Sequence, residues 1–382
     1  MSQNTANKYN FEPLQSPEVN LPLPAPKQER WSQLDMARGI AITLMILSHS
    51  VKGLLAQSMI PNWGLVPIHL LTKLSSSLFI LVFGFGLSLY FIPHVNTANW
   101  RKKRSWMIMR GIELMFWYKI LTVVQMFQFY PQATIFDTLW FKRMPDFVEI
   151  LSFYSIALIW LPFALPAWAK SNYIKKIVAI IGLFSIGQWL HYNFDFFGIA
   201  PLKAILVEEK GFFTFGQFQR GALIFLGLFI GDIYKKLKSK KELLNVLPMA
   251  CAIIGSSLLS TFYMMNEGSF MKAVHNIADN VGKHPFDINF LCFSLGGALL
   301  ILGICLLSNI KFQKWMTPIS YLGRYSLNAF ILHIFIIFYF YRYSFGLHRS
   351  VTYPQSLGLA LACVASVVVI LYAWNKFKEA IK

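Results

Sequence analysis

The sequence predicts an all-α fold, a polytopic integral membrane helix bundle of about ten transmembrane helices with both termini cytoplasmic. Three observations predict it. Of the 382 residues, 56% are hydrophobic and only 14% charged, whereas soluble domains carry about 25% charged residues. Ten apolar segments are long enough, or nearly so, to span a hydrocarbon core of about 30 Å. Lys and Arg gather in alternate connections, as the positive-inside rule requires of a multi-pass chain.

Residues 1–30 are polar and Pro-rich, without an apolar core, and read as a flexible cytoplasmic tail rather than a signal peptide. Residues 31–382 read as a single transmembrane domain. Its first span, 37–56, follows a polar entry that ends in Leu34-Asp35. The second, 66–92, is over-long and expected to tilt, and its Gly84 and Gly86 allow close helix contact. The third, 105–127, follows the basic run Arg101-Lys-Lys-Arg104. The fourth, 148–168, opens on Glu149, a carboxylate suited to a helix N-terminus. The fifth, 174–191, is short, and the sixth, 215–235, ends with Asp232 beside Lys235 and Lys236, a local ion pair. Spans 243–264 and 288–308 follow, then 319–340 with Arg324 and His333, and finally 356–375.

The cytoplasmic connections hold Arg101 to Arg104, Lys170, Lys175 and Lys176, the lysines from Lys235 to Lys241, and Lys311 and Lys314. Lys376, Lys378 and Lys382 close the chain. The opposite loops carry only pairs: Lys142/Arg143, Lys203/Lys210, Lys272/Lys283 and Arg342/Arg349. Those loops are the longer ones, and 128–147, 192–214 and 265–287 hold most of the loop acids, an arrangement that can cover a polar acceptor. The net charge of +18 therefore follows from topology and from contact with anionic membrane lipids, and nucleic acid is not a partner. Cys251, Cys292, Cys305 and Cys363 all lie in apolar runs and read as small buried hydrophobes. No spacing suggests a metal site.

Ionisable groups inside spans cost several kcal/mol unless paired or hydrated, so each is a functional candidate. Lys73 and His69, near the outer end of the second span, can snorkel or contact interfacial water. Arg110 and Glu113 stand three residues apart and can neutralise each other. Alternatively, Arg104 and Arg110, together with Arg38 and Arg324, present guanidinium groups from three helices on one side, enough for a phosphate cage if they converge. Arg38 and His49 are eleven positions apart, which is three helical turns plus about 20° and a rise of about 16 Å. They share a face, and Ser48 and Ser50 flank the histidine. A desolvated imidazole stays neutral and can accept a proton, as a general base must. His333 is a second candidate, with a packing role against Ser326, Asn328 or another helix as its plainer explanation.

These residues carry a resemblance. Leu34-Asp35, Arg38-Gly39-Ile40-Ala41 and, ten residues after the arginine, His49 together resemble the opening motif of membrane acyltransferase family 3. The aromatic-rich Ser77-Leu-Phe-Ile-Leu-Val-Phe-Gly84-Phe-Gly86, the basic entry Arg101 to Arg110 and Leu322-Gly-Arg-Tyr-Ser-Leu-Asn-Ala-Phe-Ile-Leu-His333 are similar to later segments of that family. Val82-Phe83-Gly84 stands where the family usually has Leu-Ser-Gly, which marks a divergent branch. Lys283-His-Pro285 through Phe293-Ser-Leu-Gly296 is also similar to the related heparan-α-glucosaminide N-acetyltransferase-like group of the transmembrane acyltransferase superfamily.

The resemblance implies an acyltransferase-like domain over 31–382 in the cell (inner or plasma) membrane. Its donor would be acyl-CoA, first of all acetyl-CoA, and its acceptor a hydroxyl of a cell-surface glycan or lipid-linked sugar. His49 and Arg38 would be the catalytic pair, with Arg38, Arg104, Arg110 and Arg324 holding the donor and no metal involved. A proton-coupled transporter or exporter using His49, Glu113 and the arginines is the alternative from another class.

Overall fold

The computed structural model describes residues 31–61, 64, 66–238, 240 and 245–381. The expected tail, 1–30, and the cytoplasmic Lys241 and Lys382 lie outside the described residues. Among the described residues fifteen α-helices follow one another: α1 (Ser32–Leu54), α2 (Val66–Tyr90), α3 (Trp100–Met126), α4 (Gln132–Leu139), α5 (Glu149–Lys170), α6 (Tyr173–Asn193), α7 (Ala200–Val207) and α8 (Gln219–Lys238). After these come α9 (Val246–Met265), α10 (Phe270–Ala278), α11 (Ile288–Leu307), α12 (Ile310–Trp315), α13 (Thr317–Arg324), α14 (Ser326–Ile334) and α15 (Tyr353–Ile381). No strand beyond a single bridge between Leu55 and Val351 occurs among the described residues. The all-α polytopic architecture is the expected one.

All ten expected spans fall on helices, but they are not equivalent. By length and composition eight helical stretches of the described residues can cross a membrane. The two that fall short are α3 and α8, whose charges (Arg101 to Arg104, Arg110, Glu113 and Lys119 in α3; Arg220, Asp232, Lys235, Lys236 and Lys238 in α8) lower their hydropathy. The ninth span is not one α-helix. It breaks at Tyr325 (φ −113°, ψ 42°) between α13 and α14, and then continues as a π-helix over Phe335–Ser344.

The core is organised around α1, which packs on α2, α13 and α15. Contact with α13 is backbone to backbone: a side chain at Gly323 would overlap the Asp35 carbonyl. Small residues bring membrane helices together because lipid tails give no hydrophobic drive to do so. Gly84 does the same for α2 and α8, as expected, since a Cβ there would strike the Ile224 carbonyl. The neighbouring Gly86 serves another purpose, described below.

The start of α1 and the end of α15 meet the same stretch of chain. Ser32 Oγ donates to Gln313 Oε1 at 2.6 Å, and Asn375 Nδ2 donates to Tyr321 Oη at 2.9 Å. This is the terminal end of the bundle. At the far end, Ala56 N donates to Val351 O at 3.1 Å, and the long connections around residues 127–148, 208–218 and 279–287 fold inward. Asp232 pairs with Lys235 at 3.1 Å as expected, and also with Lys176 of α6 at 2.6 Å. Snorkelling does not describe His69 and Lys73. Both are buried, and Lys73 Nζ donates to Asn280 Oδ1 of the 279–287 connection at 2.6 Å.

Candidate active site

His49 sits on α1 about one and a half turns before its end and is buried. Its Nδ1 lies 3.0 Å from His333 Nε2 on α14, and the rings stack with centroids 5.2 Å apart. The plainer explanation of His333 as a packing histidine named Ser326 and Asn328 as partners, or another helix; the partner is another helix, and it is His49 itself. His333 Nδ1 lies 3.1 Å from the Ala329 carbonyl. A carbonyl only accepts, so that nitrogen carries the proton. The neutral ring then has Nε2 as its lone pair, and His49 must donate through Nδ1. The chain of bonds leaves His49 Nε2 unprotonated. Phe147 packs edge-on to the His49 ring at 5.2 Å.

Four cavities follow one another past this pair, each sharing wall residues with the next. The first, of about 220 Å³, is lined by Arg38, Arg110 and aromatic side chains including Phe83, Trp106 and Phe330. Arg38 pairs with Asp35 at 3.5 Å. Gly86 leaves room for it, because a Cβ there would stand 2.6 Å from Arg38 Nη2. Arg110 pairs with Glu113 at 2.5 Å, so its two readings coexist: it is neutralised locally and still faces the cavity. Arg104 and Arg324 do not line this cavity. Arg104 lies 5.7 Å over the Phe163 ring, and Arg324 is exposed, 5.5 Å over Tyr325. Glu113 is exposed on α3 and does not meet His49.

Ile150 divides this cavity from a slot of about 40 Å³ walled by His49, Ser48, Lys73 and Glu149. The slot opens into a third cavity, of about 300 Å³, lined by His49, Lys52, Asp146, Glu149, Lys283 and Arg349. A fourth, of about 380 Å³, adjoins it along Asp146, Phe147 and Phe213 and carries Lys142, Arg143 and Arg342. Burial pushes the Asp146 carboxyl up to about 6, Glu149 adds to the shift, and Lys52, Lys283 and Arg342 oppose it. Glu149, expected only as a helix-start carboxylate, also pairs with Lys283 at 3.1 Å.

Sequence reasoning did not place Lys52, Lys73, Asp146 or Lys283 at a site. Lys52 had a signal, standing three residues after His49 and so on the same face of α1. Lys283 had none, because its position depends on a pair contributed from elsewhere. Arg220 of α8 is fully buried and donates through Nε to Glu208 Oε1 at 3.0 Å and through Nη2 to the Lys283 carbonyl at 2.7 Å. Its guanidinium also stacks 3.5 Å over Phe286. Burial alone would raise the Glu208 carboxyl; Arg220 and His284 instead hold it below the ordinary range. This buried pair fixes the backbone from which Lys283 reaches the cavity.

Fold and site together define a polytopic membrane protein with a buried, tautomer-fixed imidazole between an arginine-lined and a lysine-lined cavity. Residues 31–375 match the acyltransferase domain of acyltransferase family 3, and the chain belongs to that family: it is a membrane acyltransferase. A comparison with curated proteins gives no match.

Proposed function

We propose that this protein is an integral-membrane O-acyltransferase of the cell membrane that moves an acyl group, acetyl first of all, from cytoplasmic acyl-CoA to a hydroxyl of a surface or lipid-linked carbohydrate. The observation that carries the reading is the position of His49, between two cavities of different chemistry with one ring nitrogen kept free. Arg38 and Arg110 suit the phosphates of a nucleotide donor, because guanidinium groups bind phosphate oxygens in pairs. The aromatic walls beside them suit a thin pantetheine arm, and the rise from Arg38 to His49 is about 16 Å. The lysine-lined cavity then receives the acceptor. Its Lys283 belongs to the segment that resembles the heparan-α-glucosaminide N-acetyltransferase-like group.

In this mechanism His49 Nε2 takes the proton of the acceptor hydroxyl as the oxygen attacks the thioester carbonyl. His333 holds the opposite nitrogen as a donor throughout, so the imidazolium that forms is stabilised where it forms. The carbon–sulfur bond breaks, and the proton passes from His49 to the leaving thiolate, which restores the starting tautomer. Transient acylation of His49 itself is the two-step variant of the same chemistry. The transporter reading loses the relay partner it named, since Glu113 is exposed and bonded to Arg110.

The test is transfer of labelled acetyl from acetyl-CoA by the purified full chain in nanodiscs. Transfer is expected for the wild type and absent in His49→Ala, with acetyl-CoA still raising the melting temperature of that variant. Equal transfer by both proteins would remove His49 from the chemistry.

A further inference from the structure

The far-end loops carry few cations, in four pairs spread over the sequence. The fold gathers members of three of those pairs at one mouth. Lys283 and Arg349 line the cavity of about 300 Å³ that contains His49, and Lys142, Arg143 and Arg342 line the adjoining one. Two helix lysines, Lys52 and Lys73, complete the set from below.

Carboxylates do not balance these charges. Glu149 is taken by Lys283 at 3.1 Å and Asp137 by Lys142 at 3.3 Å. Asp146 is the remaining acid in the walls of the two cavities. Neither Lys52 nor Lys73 forms an ion pair with a carboxylate among the described residues. Lys73 is only 4% exposed, and it donates to the neutral amide of Asn280. Lys52 shares the Glu149 and Asp146 carboxylates with Lys283, and the Asp279 carboxylate acts on Lys73. Ammonium groups so sparsely countered are costly to hold out of water, and an anion joining them would offset that cost. A neutral sugar would leave that cost in place.

We propose that the acceptor is an anionic glycan, one bearing carboxylate or phosphate oxygens, and that Lys52, Lys283 and Arg349 hold its anionic groups while His49 faces its hydroxyl. This rests on the acyl-transfer reading above. Lys73, at the narrow floor, meets the anion nearest the reacting hydroxyl. Lys142, Arg143 and Arg342 extend the cationic surface to neighbouring units of a polymer.

The test uses the full chain in nanodiscs with acetyl-CoA and three hexameric acceptors: neutral maltohexaose, hexagalacturonate, and a glycerol-phosphate hexamer. At least one anionic acceptor is expected to exceed the neutral one about tenfold in kcat/KM, with the advantage shrinking as salt is raised. Whichever of the two anionic probes is preferred identifies carboxylate or phosphate as the source of the charge. The double variant Lys52→Gln/Arg349→Gln is expected to raise KM for the anionic acceptor and bring the ratio towards one. A loss of kcat of equal size for neutral and anionic acceptors in that variant would mean that these cations serve the reaction rather than recognise the acceptor, and would overturn the proposal. Equal acylation of all three hexamers by the wild type, with His49→Ala inactive on each, would overturn it while the acyl-transfer reading stands. Acetyl-CoA-independent behaviour throughout would overturn both.

Discussion

His49 Nδ1 stands 3.0 Å from His333 Nε2, and His333 is in turn 3.1 Å from the Ala329 carbonyl. The two rings come from opposite ends of the sequence, yet one backbone carbonyl settles the tautomer of both. His333→Phe should therefore lower kcat by about 10²-fold or more, at the scale of a lost proton-transfer arrangement. His333→Gln, whose amide oxygen can accept the same N–H, should recover part of that loss. Steady-state kinetics of the two variants at matched folding check this, and equal losses in both would reduce His333 to a packing residue.

Arg38 and Gly86 form a second pair of this kind. Because the guanidinium occupies the space a Cβ would need, Gly86→Ala should displace it and reproduce Arg38→Ala in milder form. A charged hydrogen bond contributes about 1.5–3 kcal/mol, so Arg38→Ala should raise the KM for acyl-CoA roughly tenfold to a hundredfold. A donor titration followed by melting temperature reads the same change. An unaltered donor response in both variants would place the donor elsewhere.

Glu208 and Arg220 are both fully buried. Removing one partner leaves an uncompensated charge, and Glu208→Gln should cost about 3–5 kcal/mol of stability. Glu208→Gln combined with Arg220→Met should be less damaging than the sum of the two. Thermal unfolding in detergent measures the cycle. Since Lys283 hangs from the same guanidinium, the single variant should also weaken acceptor binding.

Asp146 supplies a pH dependence. Its carboxyl is raised to about 6 in the folded protein, above its value in the unfolded chain, so the folded state prefers it protonated. That contribution is complete below about pH 4 and is lost as pH rises through 6. The groups facing it are Glu149, Lys52, Lys283 and Arg342. Melting temperatures across pH 4–7 should fall more for the wild type than for Asp146→Asn. Parallel curves would show that Asp146 is not the titrating group.

Much of this was legible in the chain. The ten helical segments followed from apolar length alone, and the shared face of Arg38 and His49 from helical period. Arg110 was legible as a candidate but not its dual role, because an ion pair with Glu113 and exposure to a cavity do not exclude each other. The break at Tyr325 was hidden inside an apolar run, since the close approach of Gly323 to Asp35 is a tertiary fact. Lys283 and Asp146 were hidden for the same reason. Both lie on connections whose path depends on buried contacts from distant helices, and no local periodicity reports such contacts.

The slot of about 40 Å³ beside His49 has a bearing on the cell as well as on the reaction. It has room for about three water molecules. With donor and acceptor taken from opposite sides of the membrane, as proposed above, water running through the slot would make a proton wire, and each charge that leaks would dissipate about 2.3 kcal/mol per 100 mV. Ile150 and Phe147 line the slot with apolar side chains, which offer water no hydrogen-bond partner there. On the proposed reading the two reactants meet across that narrow, partly apolar neck rather than in an open channel.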